Sequence, residues 1–316
     1  MKMKIINHPQ QCPPMAIAAT IGMFDGFHLG HRTLVESLKR EAGKRGLATA
    51  VVTFRDHPQN VLHHAGQKWI CTLDDRIQCI ADQGVDYLIL MDFTPELAAL
   101  DSTAFMMLLR DRYHLRALVV GFNHRFGHNR SEGFDDYRAN GARLGVEVVQ
   151  AAEYAGEYAP VSSSIVRRYI AEGNVEAAMH RLYHPFCLSG TVVHGLKNGR
   201  KIGFPTANVG GYSPQVIMPA NGVYVTLAQI DGGDWLPSMA NIGTRPTVLT
   251  EGAISVEVNI FNFDADIYDR RFAVRFIKRL RNEVHHASLD ALKRQLAADR
   301  DTSLRYFSDR NINHTI

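Results

Sequence analysis

A chain of 316 residues, 46% hydrophobic and 21% charged, has the make-up of a globular protein and enough length for two domains. Its formal net charge of +3 is too small to imply a nucleic-acid partner. The basic cluster from Arg270 to Arg281 alternates with Phe272, Val274 and Phe276, as in a strand with one charged face. No run of about 18 apolar residues occurs, and Met1 to Gln10 lacks a signal core, so a cytoplasmic protein with no membrane partner is expected. Cys12, Cys71, Cys79 and Cys187 form no C-x-x-C and read as free thiols of a reducing compartment.

The first half alternates strand-like and helix-like segments. Met15 to Ile21 is an apolar, strand-like run, and Thr33 to Arg45 is helical. Between them Thr20 to Arg32 reads T-I-G-M-F-D-G-F-H-L-G-H-R, with three glycines (Gly22, Gly26, Gly30) and two histidines three residues apart (His28, His31). At a helix start this spacing sets both imidazoles on one face, above N–H groups that have no helical partner. Dipole and donors together attract anions, and glycines allow close backbone approach. The stretch reads as a nucleotide-phosphate site at the top of the first βα unit.

Strands follow at Leu47 to Phe54, Asp86 to Met91, Ala117 to Gly121 and Val146 to Gln150. Helices are expected at Asp74 to Gln83, from a Ser102 cap through Leu109, and at Asp135 to Leu144. This alternation predicts a doubly wound parallel sheet, with ligands beyond the carboxyl ends of its strands. Three loops should gather there: Phe54 to Pro58, Gly121 to Gly127, and Ser162-Ser163-Ser164-Ile165-Val166-Arg167. Three serines before a helix are good caps, and hydroxyls, free N–H groups and the Arg167 guanidinium together make a second phosphate clamp.

Two short helical segments, Ser164 to Glu172 and Val175 to Tyr183, are broken by Gly173-Asn174, and His184-Pro185 ends the second. The domain boundary is placed there, giving domains 1–183 and 184–316. Beyond it the chain is rich in strands: Phe186 to Val193, Gly222 to Ile230, Trp235 to Ile242, Ser255 to Ile260 and Phe272 to Lys278. About six strands without intervening helices suggest a small antiparallel, Greek-key-like barrel. A helix from Ser288 to Phe307 closes the chain. Gly190 to Asn208 reads G-T-V-V-H-G-L-K-N-G-R-K-I-G-F-P-T-A-N, a glycine-rich loop that is not a Walker loop. The neutral oxygens of Thr206 and Asn208 suit Mg²⁺ shared with nucleotide phosphates. Ala240 to Thr247 reads as a tight polar turn. Glu257 stands alone among apolar strand residues; it is either merely solvent-facing or, beside a metal, able to accept a substrate proton.

The residues also carry a resemblance. H-x-G-H after G-x-F-D-G is the signature of the adenylyl-transferring superfamily that includes class I aminoacyl-tRNA synthetases. G-M-F-D-G-F-H-L-G-H resembles the N-terminal module of bacterial bifunctional riboflavin kinase/FAD synthetases. S-S-S-I-V-R is similar to the S-S-T-x-I-R motif closing that module, and V-V-G-F-N-H-R-F-G to its V-G-x-N-F-x-F-G loop. F-R-D-H-P resembles F-x-P-H-P, with Asp56 in place of a proline. G-x-V-x-H-G-x-x-x-G-R-x-x-G-F-P-T-A-N, A-N-I-G-x-x-P-T and V-E-V-x-I-F-x-F-D-x-D-I-Y resemble the riboflavin kinase module. His124 replaces a phenylalanine, Asp269 a glycine and His286 a phenylalanine of the family pattern.

This resemblance implies a Rossmann-like nucleotidyltransferase domain followed by a kinase barrel with a C-terminal helix. It implies ATP, riboflavin and FMN as substrates, FMN and FAD as products, and Mg²⁺. It assigns catalysis to His28, His31, Arg167 and Glu257, and the metal to Thr206 and Asn208. Nucleotide or phosphate contacts are expected from Gly22, Phe24, Asp25, Gly26, Gly30, Ser163 and Ser164 in the first domain, and from Gly195, Gly199, Gly203 and Pro205 in the second. Flavin contacts are expected from Asn123 and Arg281. Two other readings stay open at this point. One is an adenylyltransferase for a pantetheine or nicotinate mononucleotide ester, which leaves the P-T-A-N domain without a task. The other is a non-catalytic flavin- or RNA-binding protein, which leaves His28, His31, Thr206, Asn208 and Glu257 unexplained.

Overall fold

A computed structural model describes residues 2–8, 10–63, 66–128, 131–195, 199, 202–245 and 253–310. The chain forms two compact units: residues 1–68 with 72–163, and residues 164–316 with the tripeptide Trp69–Cys71.

The first unit is built on strands β1 (Lys4–Ile6), β2 (Ile17–Ile21), β3 (Ala48–Phe54), β4 (Tyr87–Met91), β5 (Leu115–Val120) and β6 (Glu147–Gln150). They form one sheet in the order β1-β4-β3-β2-β5-β6, and every pairing is parallel. All residues of β2 and β3 are buried, as strands covered on both faces must be. Helix α1 (Leu29–Arg45) packs Leu34, Val35 and Leu38 on one face, with Ile80 of α3 (Leu73–Ala81). Helices α5 (Ser102–Tyr113) and α6 (Phe134–Leu144) cover the other face through Phe105, Met106, Leu109 and Tyr137. Short helices α2 (Pro58–His63) and α4 (Pro95–Ala98) and the strand β1 fall below the length at which periodicity is readable. Asp101 caps α5, its carboxylate accepting the Ala104 N–H at 2.7 Å, while Ser102 is buried inside the first turn.

The second unit opens with α7 (Ser163–Ala171), whose first residue belongs to the first unit, and α8 (Val175–Leu182). Its six strands are β7 (Phe186–Val193), β8 (Ala207–Gly210), β9 (Gly222–Ile230), β10 (Leu236–Arg245), β11 (Ala253–Ile260) and β12 (Arg271–Arg281). They close an antiparallel barrel in the order β10-β11-β8-β7-β12-β9. Val256, Val258 and Ile260 point into the core, so Ser255, Glu257 and Asn259 line the opposite face of β11. The expected polar turn from Ala240 is instead strand: β10 runs to Arg245, and Pro246 and Thr247 lie outside the described residues. Helix α9 (Leu289–Asp309) places Leu296 and Phe307 against the barrel.

Asp269 takes φ 60°, the left-handed conformation that glycine adopts without penalty. The change from the family's glycine therefore leaves the turn intact at some cost in stability. Asp269→Gly is expected to raise the urea midpoint of this unit by an amount worth about 0.5–1 kcal/mol. Both tryptophans, Trp69 and Trp235, belong to this unit, so tryptophan fluorescence reads the transition. A lowered midpoint would assign the Asp269 side chain a stabilising contact instead.

Candidate active sites

In the first unit β3 and β4 lie on one side of β2, and β5 and β6 on the other. The connections that leave the carboxyl ends of β2 and β5 therefore run to opposite faces, α1 on one and α6 on the other, and the crevice between such connections is where open α/β sheets bind ligands. The loops 22–28 and 121–127 open into it. Helix α1 starts at Leu29, four residues earlier than its apolar pattern indicates, because His28 is its N-cap. The His31 N–H donates to His28 Nδ1 at 3.3 Å. That bond needs an unprotonated Nδ1, so the ring proton of His28 sits on Nε2. The two imidazoles stack at 3.7 Å between centroids, 13° from parallel.

Phe24, fully buried, backs this pair, its ring centroid 4.9 Å from that of His31. Phe24 and Phe27 hold φ of 52° and 41°, so the loop is in a backbone region that aromatic residues rarely enter. A Cβ on Gly30 would lie 3.2 Å from the His28 ring, which explains a residue without a side chain there. Burial, then repulsion from His28 and His124, holds His31 well below the ordinary histidine pKa, and its Nδ1 is buried with no hydrogen-bond partner. At neutral pH His31 is uncharged, a donor rather than a cation.

The remaining residues proposed for this half are distributed as follows. Gly22 and Gly26 flank Phe24 and the fully buried Asp25, whose backbone carbonyl accepts the Ser163 hydroxyl at 3.1 Å. Ser164 and Arg167 lie on α7, in the second unit. Asn123 is exposed on the loop after β5. Two further residues went unread in the sequence. Arg76, 1% exposed, donates to the carbonyls of Met23 (2.9 Å) and Arg55 (3.3 Å), tying together the loops after β2 and β3. Phe122, 54% exposed, offers an aromatic face beside Asn123. An arginine on an amphipathic helix ordinarily reads as solvated, so only the fold reveals that Arg76 is buried.

In the second unit strand register sets out a row of polar side chains. Asn241 on β10 pairs opposite Glu257 on β11, which pairs opposite Asn208 on β8. Directly opposed residues in antiparallel strands have side chains on the same face. The Thr206 hydroxyl donates to Glu257 at 3.4 Å. Two residues on, Asn259 donates to the Pro205 carbonyl at 2.7 Å and so holds the P-T-A-N segment against β11. A Cβ on Gly195 would fall 2.2 Å from the Asn208 amide, so that backbone can approach Asn208 only as glycine. Gly199 accepts the Phe204 N–H at 2.9 Å, and Gly203 has φ 81° in the turn between them.

Among the described residues no group of three histidines, cysteines or carboxylates could hold a metal. One carboxylate with two neutral oxygen donors, Thr206 and Asn208, fits a hard cation that shares the phosphates of its nucleotide. Arg281 sits at the end of β12, its guanidinium on Asp299 of α9 at 2.7 Å and 3.1 Å. Gln295 donates to the same carboxylate at 2.9 Å, so Arg281 anchors the helix to the barrel.

Residues 11–165 match the FAD synthetase family and residues 182–307 the riboflavin kinase family. The bifunctional riboflavin kinase/FMN adenylyltransferase of Escherichia coli K12 is 36% identical over 96% of each chain. Its counterpart in Bacillus subtilis 168 is 32% identical over 98% of this chain and 99% of that one. A crystal structure described as a macrolide-efflux protein from Streptococcus pneumoniae covers 95% of this chain and 98% of that one, at 30% identity and a TM-score of 0.87. Among the described residues no helix is long and apolar enough to cross a membrane. With both modules present in order and full-length relatives above 30% identity, the chain belongs to the bifunctional riboflavin kinase/FMN adenylyltransferase family.

Proposed function

We propose that the chain phosphorylates riboflavin to FMN in its barrel and adenylylates FMN to FAD at the crevice of its parallel sheet, one reaction for each constellation. The observation that carries this reading is the pair of chemically distinct sites in separate units: stacked imidazoles at a helix N-terminus, and a carboxylate beside hydroxyl and amide oxygens. The division of labour is taken at residues 183 and 184. A cytoplasmic location goes with it, supported by Cys12, Cys71, Cys79 and Cys187, which form no disulfide.

In the barrel, the 5′-hydroxyl of riboflavin attacks the γ-phosphate of ATP, and Glu257 accepts the hydroxyl proton. Thr206 and Asn208 hold Mg²⁺, which when bound neutralises phosphate charge. The transition state is loose, so orientation contributes more than the base. Gly195, Gly199, Gly203 and Pro205 shape the loop over the nucleotide. Arg281 acts on the flavin side through the helix it anchors.

In the crevice, the FMN phosphate attacks the α-phosphate of a second ATP and pyrophosphate leaves. The attacking phosphate is already ionised, so no general base is required. His28 Nε2–H and the His31 ring donate to the charge that develops on the phosphates. Gly22, Phe24, Asp25, Gly26 and Gly30 shape the loop and helix start that present them. Ser163, Ser164 and Arg167 are assigned to the same reaction from their motif, and Asn123 to the flavin, with Phe122 offering a face on which the flavin ring can stack.

Incubation with riboflavin, ATP and Mg²⁺ followed by chromatography of the flavins tests the whole reading. FMN and then FAD are expected, and unchanged riboflavin overturns it. Gly30→Ala probes the crevice alone. Its methyl group displaces the His28 ring, and loss of one aligned donor costs about tenfold in FAD formation. Riboflavin phosphorylation should be unchanged in the same protein, and an equal loss in both steps would contradict the assignment.

A further inference from the structure

One arginine of the first unit is buried where an apolar residue would ordinarily pack. Arg76 and Ile80 are the buried residues of α3, four positions apart on the same face. A capping box fixes the start of that helix: Thr72 Oγ1 accepts the Asp75 N–H, and the Asp75 carboxylate accepts the Thr72 N–H. Arg76 is thus rooted near the capped end of α3, 1% exposed. Burying a guanidinium is costly unless its donors are used. Here they are used on main chain: Nη1 donates to the Met23 carbonyl at 2.9 Å and Nη2 to the Arg55 carbonyl at 3.3 Å.

The Met23 carbonyl accepts a second bond, from the hydroxyl of the fully buried Thr53 on β3, at 3.2 Å. Its direction is therefore set by two donors. The peptide is planar, so the same two bonds set the direction of the Phe24 N–H. Phe24 has φ 52°, a conformation that an aromatic residue holds only where its surroundings enforce it. Swinging the Met23–Phe24 peptide would let Phe24 return to negative φ, but it would break both bonds. Phe24 carries the ring that lies 4.9 Å from His31, and its carbonyl accepts the Phe27 N–H at 3.1 Å, just before the N-cap of α1. Arg55 is held as well: its N–H donates to the Met91 carbonyl at 3.0 Å, and its guanidinium pairs with Asp92 at 2.9 Å. One side chain on α3 thereby couples the loop that carries the histidines to the ends of β3 and β4.

We propose that Arg76 is a positioning residue for adenylyl transfer, holding the Met23 carbonyl so that Phe24 keeps its left-handed conformation and the His31 ring keeps its alignment toward phosphate. This rests on the assignment of FMN adenylylation to this unit. Arg76 acts through main chain and not through contact with a substrate.

The test uses the full-length protein and three variants. Arg76→Met keeps an apolar stem and removes every donor. Arg76→Lys keeps the charge and loses the planar fork that serves two carbonyls. Thr53→Val removes the other donor to Met23 at nearly constant shape. In FAD formation from FMN, kcat is expected to fall about 10²-fold in Arg76→Met, the cost of displacing a group by about 1 Å, and less in the other two. KM for ATP and for FMN should move little, and riboflavin phosphorylation should be unchanged. The second readout is the titration of His31, followed by nuclear magnetic resonance of nitrogen-labelled histidine and identified by the signal missing from His31→Ala. In the unaltered chain burial keeps His31 neutral to well below the ordinary histidine range. In Arg76→Lys, where the charge is conserved, loss of the Phe24 backing should let His31 titrate closer to its ordinary value. A variant that merely lowered the folded fraction would cut kcat and leave this titration where it is. Unchanged kcat in all three variants, an equal fall in riboflavin phosphorylation, or an unmoved His31 titration overturns the proposal. Should Arg76→Met fail to fold, Arg76→Lys and Thr53→Val carry both readouts. Absence of FAD formation from FMN by the unaltered chain instead overturns the reaction assigned to the crevice, and the His31 titration still tests the positioning.

Discussion

Glu257→Ala is expected to cut FMN formation from riboflavin by about 10²–10⁴-fold, the usual contribution of a positioned general base. FAD formation from supplied FMN should continue at the unaltered rate. The geometric reason is the cross-strand row on β8, β10 and β11, in which Glu257 is the carboxylate between Asn208 and Asn241. Glu257→Gln keeps the shape and the Thr206 contact but cannot accept a proton, so it should lose nearly as much. If Glu257→Gln retained most of the kinase rate while Glu257→Ala lost it, Glu257 would orient the site rather than accept the proton. Should Glu257→Ala depress FAD formation from FMN as severely as FMN formation in a folded protein, one reaction per unit would have to be abandoned.

His31→Ala should give the opposite split. Removing one donor to a charged transition state costs about 10²–10³ in rate. FMN should then accumulate from riboflavin, with FAD trailing. His31 is uncharged near pH 7 because burial and two neighbouring histidines disfavour its cation. The loss should therefore persist at alkaline pH, where an imidazolium would already have been neutralised. A defect confined to acid pH would mean that His31 works as a cation. The His31 backbone N–H that donates to His28 survives the substitution, so the helix start is kept, while loss of the ring packed on His28 and Phe24 should lower thermal stability without unfolding the protein. If riboflavin phosphorylation falls with FAD formation, His31 supports the fold and not one reaction.

Several features were legible in the sequence because neighbours along the chain set them. The spacing of His28, Gly30 and His31 determines a helix start with both rings on one face, and the tight Gly30 contact with the His28 ring is local to that turn. Hydrophobic alternation separated the parallel-sheet half from the barrel half. The P-T-A-N motif located Thr206 and Asn208, but its strand, β8, is only four residues long and was too short to read. Ala240 to Arg245 looked like a turn because of its polar residues, yet Ala240, Asn241 and Ile242 pair with both β9 and β11, and Gly243 to Arg245 pair with β11. Strand pairing overrode the turn composition.

By itself, then, the sequence determined the two modules, their order and the motifs to which the chemistry is assigned here as a proposal, since each motif is a short segment whose geometry follows from its own spacing. Only the tertiary structure decided which distant residues join those motifs. Register brings Asn241 opposite Glu257, burial turns Arg76 inward to brace two loops, the strand order carries His124 to His31, and Asp299 fixes Arg281 to the C-terminal helix. Each of these depends on contacts between residues far apart in the chain, which no local spacing encodes.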